Sequence, residues 1–360
     1  MAKEPAINLM VFYTWGEAAR GPKYDPDFGK EIEWDIPLLE GYNYKFLKNT
    51  SKEPGSHHFK GIINPTSIQE IEAWGPDVVW VWGWAFHSHL KIMRHFKGKV
   101  PVWFRGDSTL LDEPFGFSLK KIARRLLLTW VYKYIDVAFY VGTHNKAYFT
   151  AHGLNENQLV HAPHAIDQTR FADPTGQYAE TAKQWRIDLG IDEKQRVLLF
   201  VGKLETKKNP LFFKDVIAAM ECHNIIGIMV GNGALEVELK RTAPKNLVCL
   251  PFQNQGKMPV VYRLADALLL PSRGPGETWG LVLNEALACG VPVVASSRCG
   301  GAIDLIQNDK NGFIFDEFST EKLCDNLVNW FDDYNAQIVT PSIVHSHSHT
   351  VQAVLTQLTS

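Results

Sequence analysis

Short apolar runs recur along this chain, separated by segments whose apolar positions return every three to four residues. In the first half the runs are "AINLMVFY" (6–13), "PDVVWVWGW" (76–84), "KVPVWFRGD" (99–107) and "DVAFYVG" (136–142). They predict strands, and the periodic segments 64–74, 86–96 and 118–134 predict helices. The second half repeats the rhythm. Strands are predicted at 196–204, 225–233, 246–252, 265–272 and 291–296, with helices at 211–220, 234–243 and 280–289. Strands alternating with helices predict parallel, doubly wound α/β sheets. Two stretches break the pattern. Residues 17–60 are polar, rich in Pro and Gly and weakly periodic, and read as a long irregular insertion after the first strand. Residues 172–195 carry no strand signal and read as a linker.

Composition adjusts this picture in a few places. A chain of 360 residues is too long for one ordinary core, so two domains are expected. Apolar content of 45% and charged content of 21% fit a soluble globular protein. A net charge of −2 gives no support for a nucleic-acid partner, whose phosphates need a basic surplus. No apolar run approaches the ~20 residues that span a bilayer. The first residues lack the apolar core of a signal peptide, so a cytoplasmic protein is expected. The five cysteines are widely spaced and form no CxxC pair, which reads as free thiols in a reducing compartment.

Three constellations carry candidate chemistry. In "FVGKLETKKNP" (200–210) a strand ends at Gly202 and is followed by Lys203 and Lys208. Glycine admits close backbone approach, and two ammonium groups can hold a diphosphate as point charges. In "VGNGALEVEL" (230–239) a strand runs through Gly231 into a helix, whose start favours anions. Glu236 stands where a dinucleotide fingerprint wants glycine, which argues against an oxidoreductase. The third is "PSRGPGETWGLVLNEALACGVPVVAS" (271–296), a loop, a helix start and a strand. Amide groups from Thr278 through Trp279 and Gly280 to Leu281 stand at that helix start. Glu277 lies beside them and Glu285 about five residues further in, ~7–8 Å along the axis. That spacing suits two grips on one long ligand: Glu277 on sugar hydroxyls, Glu285 on a ribose diol, with a diphosphate between.

Residues 196–296 resemble the donor-binding domain of retaining GT-B fold glycosyltransferases of the family-four type, the glycosyl transferases group 1. "GKLETKK" is similar to that family's glycine and paired basic residues, with Lys203 where arginine is more usual. Glu277 to Ser296 is similar to its Glu-x7-Glu motif and following segment, and "YRLADALLLPS" (262–272) to the stretch before it. The N-terminal landmarks "PDVVWVWGW" and 141–171 resemble the family more loosely. Two departures stand out. Arg105 and Asp107 occupy the region where many members place a histidine, and the first glycine-rich loop is reduced to Trp15-Gly16-Glu17.

The resemblance implies two Rossmann-like, doubly wound domains facing a central cleft. The expected layout is an acceptor-side domain over 1–172, a linker over 173–190, a donor-binding domain over 191–335 and a helical segment over 336–360 packing back on the N-terminal domain. It implies a retaining, metal-independent transferase moving a sugar from a nucleoside-diphosphate sugar, UDP-hexose or UDP-N-acetylhexosamine, to a hydroxyl of a glycan or lipid-linked glycan in surface polysaccharide biosynthesis. Lys203, Lys208, Glu277 and Asp107 form the candidate catalytic set. Gly16, Gly202, Gly231, Phe252 and Glu285 join the 278–281 helix start in binding the donor. Trp84 and Arg105 are assigned to the acceptor side, and neither a metal ligand nor a cofactor is expected. A nucleotide-sugar epimerase, a disaccharide phosphorylase and a non-catalytic nucleotide-sugar-binding scaffold remain as alternatives.

Three smaller features stay open. The segment 118–134 is basic on one side and apolar on the other, which suits peripheral contact with the anionic inner face of a membrane or an ordinary solvated domain helix. Trp80, Trp82 and Trp84 alternate along one strand and are expected on one face, the first two in the core and Trp84 at the acceptor cleft. The run His345–His349 puts three histidines on one face if extended, and otherwise reads as a solvated tail.

Overall fold

The computed structural model describes residues 1–16, 21–26, 28–113, 116, 118–333 and 346–359. Its strands are β1 (Met10–Tyr13), β2 (Lys23–Asp25), β3 (Lys30–Ile32), β4 (Asn43–Phe46), β5 (Val79–Trp82), β6 (Val102–Arg105), β7 (Val137–Tyr140), β8 (Leu159–His161), β9 (Arg196–Val201), β10 (Ile225–Val230), β11 (Leu247–Leu250), β12 (Ala267–Leu270), β13 (Val293–Ser296) and β14 (Gly312–Phe315). The first helices are α1 (Ser67–Trp74), α2 (His87–Phe96), α3 (Leu119–Tyr132), α4 (Thr143–Ala151), α5 (Gln168–Phe171) and α6 (Gln177–Asp188). They are followed by α7 (Pro210–Ala219), α8 (Glu236–Thr242), α9 (Met258–Arg263), α10 (Leu281–Ala288), α11 (Ala302–Leu305), α12 (Thr320–Asp333) and α13 (His347–Thr359).

The chain divides into two compact units. The first comprises Met1–Lys23, Pro37–Pro163 and Ser348–Ser360. Its main sheet has the order β5-β6-β7-β8, all parallel, with Trp82 opposite Arg105. One face packs Val79, Val81, Val102 and Phe104 against Met93 of α2 and Leu128 of α3. The other packs Trp103 and Phe139 against Val354 of α13, so the last helix closes this unit's second face. Each such fully buried side chain contributes about 1.5–3 kcal/mol relative to exposure.

The second unit comprises Tyr24–Ile36 and His164–His347. Its sheet is parallel throughout, in the order β11-β10-β9-β12-β13-β14. Sequence order reverses between β9 and β12, and the crevice outside the strand ends at such a switch is where open α/β sheets bind ligands. Leu198, Leu199 and Phe200 are all buried, as expected of a strand covered on both faces. Phe213, Val216 and Ile217 of α7 and Leu323 and Leu327 of α12 cover one of those faces.

The structure corrects several expectations. The 17–60 stretch is not uniformly irregular. β4 pairs in parallel with β1, Met10 opposite Asn43 and Tyr13 opposite Phe46, and the Tyr13 and Phe46 rings stack at 4.9 Å. Tyr42, Tyr44 and Phe46 alternate with polar residues there, a period-two signal confined to one short segment. Residues 24–36 belong to the second unit rather than to an N-terminal insertion. The units divide after Pro163, and the expected linker contains helix α6, packed against α9. Glu17 and His345 lie outside the described residues. His347 and His349 fall in the first turn of α13, so the extended arrangement that would align the histidines on one face does not form.

Candidate functional site

The carboxyl ends of β9 and β12 bring the second unit's candidate residues together. After β9 the chain passes Gly202, Lys203 and a short turn at Thr206–Lys208 before α7. Beside it, a Cβ on Gly231 at the end of β10 would sit 1.9 Å from the carbonyl oxygen of Gly202, so only glycine allows these two backbones to approach. Lys208 lies next to Gly202: its Cδ and Cε would be 3.9 Å from a Cβ built there. Its Nζ donates to Oε2 of Glu277, which comes from the loop after β12. The same oxygen accepts from Ser272 Oγ at 2.8 Å. Glu277 is 6% exposed, and its ion pair with Lys208 accounts for a buried carboxylate at that place. Ser272 had no role in the sequence reading, although it ends the quoted segment "LLLPS".

The second glutamate sits on α10. That helix begins at Leu281, after Gly280 at φ +89°, so its first turn starts there rather than near Thr278, and the Leu283 amide already donates to the Gly280 carbonyl at 2.9 Å. Glu285, in the middle of α10, accepts a hydrogen bond from the buried Tyr262 hydroxyl. Burial pushes the Glu285 carboxyl above the ordinary glutamate range, against the opposing effects of the Tyr262 hydrogen bond and the Arg170 charge. Trp279 is 3% exposed; its indole N–H donates to Asn284 Oδ1 at 2.6 Å, and its carbonyl accepts from Gly301 N at 2.9 Å. It packs the loop between the two glutamates. Thr278 beside it is half-buried, and Leu281 is exposed.

The segment Tyr24–Ile36, which sequence reasoning left without a role, lies on this same unit. Asp25 pairs with Lys203, both carboxylate oxygens 3.2 Å from Nζ, and the ammonium also lies 4.9 Å from the Phe28 ring. Phe28 meets Phe252 edge-on at 5.0 Å, and Lys30 Nζ is 4.4 Å from the Phe252 ring centre. Further along, Asp35 accepts from Gly256 N and the Glu33 carbonyl accepts from Asn254. Lys203 and Lys208 are thus each held by a carboxylate. The Phe252 amide donates to Asn232 Oδ1 at 2.8 Å, which fixes the chain at that point.

In the first unit the acceptor-side expectation changes. Trp80 and Trp82 share a face with rings 5.6 Å apart, but β5 stops at Trp82 and Gly83, at φ +77°, turns the chain. Trp84 packs against the core, while Trp82 is 57% exposed. The expected burial of those two residues is therefore reversed. Arg105 ends β6 and is 5% exposed, and Asp107 two residues on is exposed. Gly16 lies under the Phe46 ring, where a Cβ would come within 2.3 Å. On α3, Leu119, Ile122, Leu126 and Trp130 are exposed on one helical stripe, with Lys120 and Arg125 exposed beside them. No helix among the described residues is long and apolar enough to cross a membrane.

Parts of the chain are similar to known proteins. Residues 181–338 match the family model for glycosyl transferases group 1, and the candidate residues from Lys203 to Glu285 lie within that range. The D-inositol 3-phosphate glycosyltransferase of Segniliparus rotundus is 30% identical over 148 residues, covering 38% of this chain and 32% of that protein. Its namesake in Corynebacterium jeikeium is 29% identical over 200 residues, 52% of this chain and 46% of that one. The match thus spans less than half the length of these curated relatives. A crystal structure of Anabaena Alr3699/HepE in complex with UDP superposes with a TM-score of 0.69 at 17% identity, covering 89% of this chain and 87% of that one. The chain has the α/β fold of the GT-B glycosyltransferases, and residues 181–338, less than half of its length, match the glycosyl transferases group 1 model.

Proposed function

We propose that this protein is a retaining, metal-independent glycosyltransferase that moves a sugar from a nucleoside-diphosphate sugar to a hydroxyl of a glycan or lipid-linked glycan. UDP-hexose or UDP-N-acetylhexosamine is the proposed donor, and surface polysaccharide biosynthesis in the cytoplasm at the inner membrane face the proposed setting. The observation that carries this reading is the convergence of Lys208, Glu277 and Ser272 with the paired backbones of Gly202 and Gly231 at one sheet switch point. The neighbouring fold in Anabaena is solved with UDP, which supports a uridine donor. The exposed apolar stripe and cations of α3 support a peripheral membrane contact.

Breaking the anomeric bond places negative charge on the leaving diphosphate. Lys203 and Lys208 stabilise it, with the first-turn amides of α10, in the role a metal fills elsewhere. Glu277, already oriented by Ser272 and Lys208, holds the donor sugar through its hydroxyls. Glu285 accepts from the ribose diol. The acceptor hydroxyl attacks on the face the diphosphate leaves, with a diphosphate oxygen taking its proton. No covalent nucleophile is assigned.

A thermal-shift screen with UDP-, GDP- and ADP-sugars, followed by a transfer assay with and without EDTA, tests this. Stabilisation by one nucleotide series and EDTA-resistant transfer are expected. Conversion of donor alone indicates an epimerase, phosphate-dependent cleavage a phosphorylase, and binding without turnover on any acceptor a scaffold. Loss of transfer on chelation overturns the metal-free step.

A further inference from the structure

Arg105 is a charged side chain that the fold buries without satisfying. It ends β6, is 5% exposed, and its Nε and Nη1 have no hydrogen-bond acceptor among the described residues. Among the described residues Nη2 makes only a long bond, 3.4 Å, to the Pro163 carbonyl. Burial lowers its pKa to about 10, with the Asp107 charge acting in the opposite direction, so it stays a cation at neutral pH. A buried guanidinium with open N–H groups is costly and calls for an explanation in ligand or function.

Its surroundings supply one. Arg105 stands at the carboxyl edge of a parallel sheet, the edge at which open α/β folds bind ligands. Directly opposite in register is Trp82, whose ring centre is 5.3 Å from the guanidinium carbon and which is 57% exposed. The indole presents a flat apolar surface to solvent at the point where the cation lies beneath it. Such a pair recognises a sugar that carries an anion: the ring face lies on the indole and the anionic group takes the open N–H groups.

We infer that Arg105 and Trp82 form a subsite for an acceptor sugar bearing a phosphate or carboxylate group. This rests on the transferase reading for the word acceptor, but the anion site itself is measurable without it. Inorganic phosphate is titrated calorimetrically into the full chain, first alone and then with UDP at saturation so that Lys203 and Lys208 are occupied. Phosphate binding is expected to persist under UDP and to weaken at least about tenfold, one power of ten in Kd, in Arg105→Met. Should Arg105→Met not fold, Trp82→Glu at the exposed position sets a carboxylate over the guanidinium and is expected to weaken phosphate binding by a similar factor. Glucose 6-phosphate is expected to bind several-fold tighter than inorganic phosphate, and Trp82→Ala to erase that gain.

Phosphate binding that vanishes under UDP, or that is unchanged in both Arg105→Met and Trp82→Glu, overturns the site. Equal binding of sugar phosphate and inorganic phosphate overturns its sugar half. Failure of UDP to bind at all overturns the uridine donor while leaving the Arg105 titration interpretable.

Discussion

At the scale of single residues, the Lys208–Glu277 pair ties stability to the proposed catalysis. The carboxylate is buried and its main partner is a lysine proposed to face the leaving diphosphate. Lys208→Ala is expected to lower kcat by about 10²–10³-fold, the scale seen when one transition-state donor is lost. It also leaves Glu277 as an uncompensated buried charge, at about 3–5 kcal/mol. Pairing it with Glu277→Gln separates the two effects: the double variant should regain most of the melting temperature and little of the turnover. Glu285 offers a second reading through pH. Its folded pKa is raised, so the native state holds the proton more tightly than the unfolded chain. That contribution to stability is complete at acid pH and is lost as pH rises from the ordinary glutamate range through the folded pKa. Glu285→Gln keeps the neutral form throughout. Its melting temperature relative to wild type should therefore climb over that window and then level off, and a constant difference across the window would remove the burial effect.

At the scale of elements, the arm Tyr24–Ile36 reaches the candidate site through the contact of Asp25 with Lys203. Asp25 occupies the ammonium of Lys203 that the proposed mechanism gives to the diphosphate. Asp25→Asn removes that competing charge, and UDP affinity by calorimetry is expected to rise several-fold, with a steeper salt dependence than wild type. An unchanged or weaker Kd would mean that the arm helps to hold the nucleotide. Much of this level was legible beforehand. The apolar runs located every strand from β9 to β13, and the spacing of Glu277 and Glu285 placed one in a loop and the other on a helix. The arm was not legible, because its three-residue strands are too short for a period and its contacts lie more than a hundred residues away in sequence. Trp82 was misread for a related reason: alternation names a face but cannot say where a strand stops, and the turn at Gly83 ended β5 before Trp84. Tyr262 and Ser272 were visible as letters, but only folding shows that they hydrogen-bond the two glutamates.

At the scale of the whole molecule, two units with separate cores should not melt as one. Scanning calorimetry is expected to resolve two transitions. UDP at about a hundred times its Kd should raise the stability of the second unit by about 2.7 kcal/mol. A single cooperative transition that shifts intact would show the cores to be energetically coupled. The units are also interleaved along the chain. The second unit includes Tyr24–Ile36 from near the start, and the first unit is finished by Ser348–Ser360 from the end. This bears on how such a protein can be inherited and recombined. A crossover after Pro163 imports a second unit stripped of its own arm and a closing helix shaped for another chain's sheet. Exchanging the second unit among relatives therefore demands cuts at several points, and single-cut chimaeras are a poor route to intact hybrids.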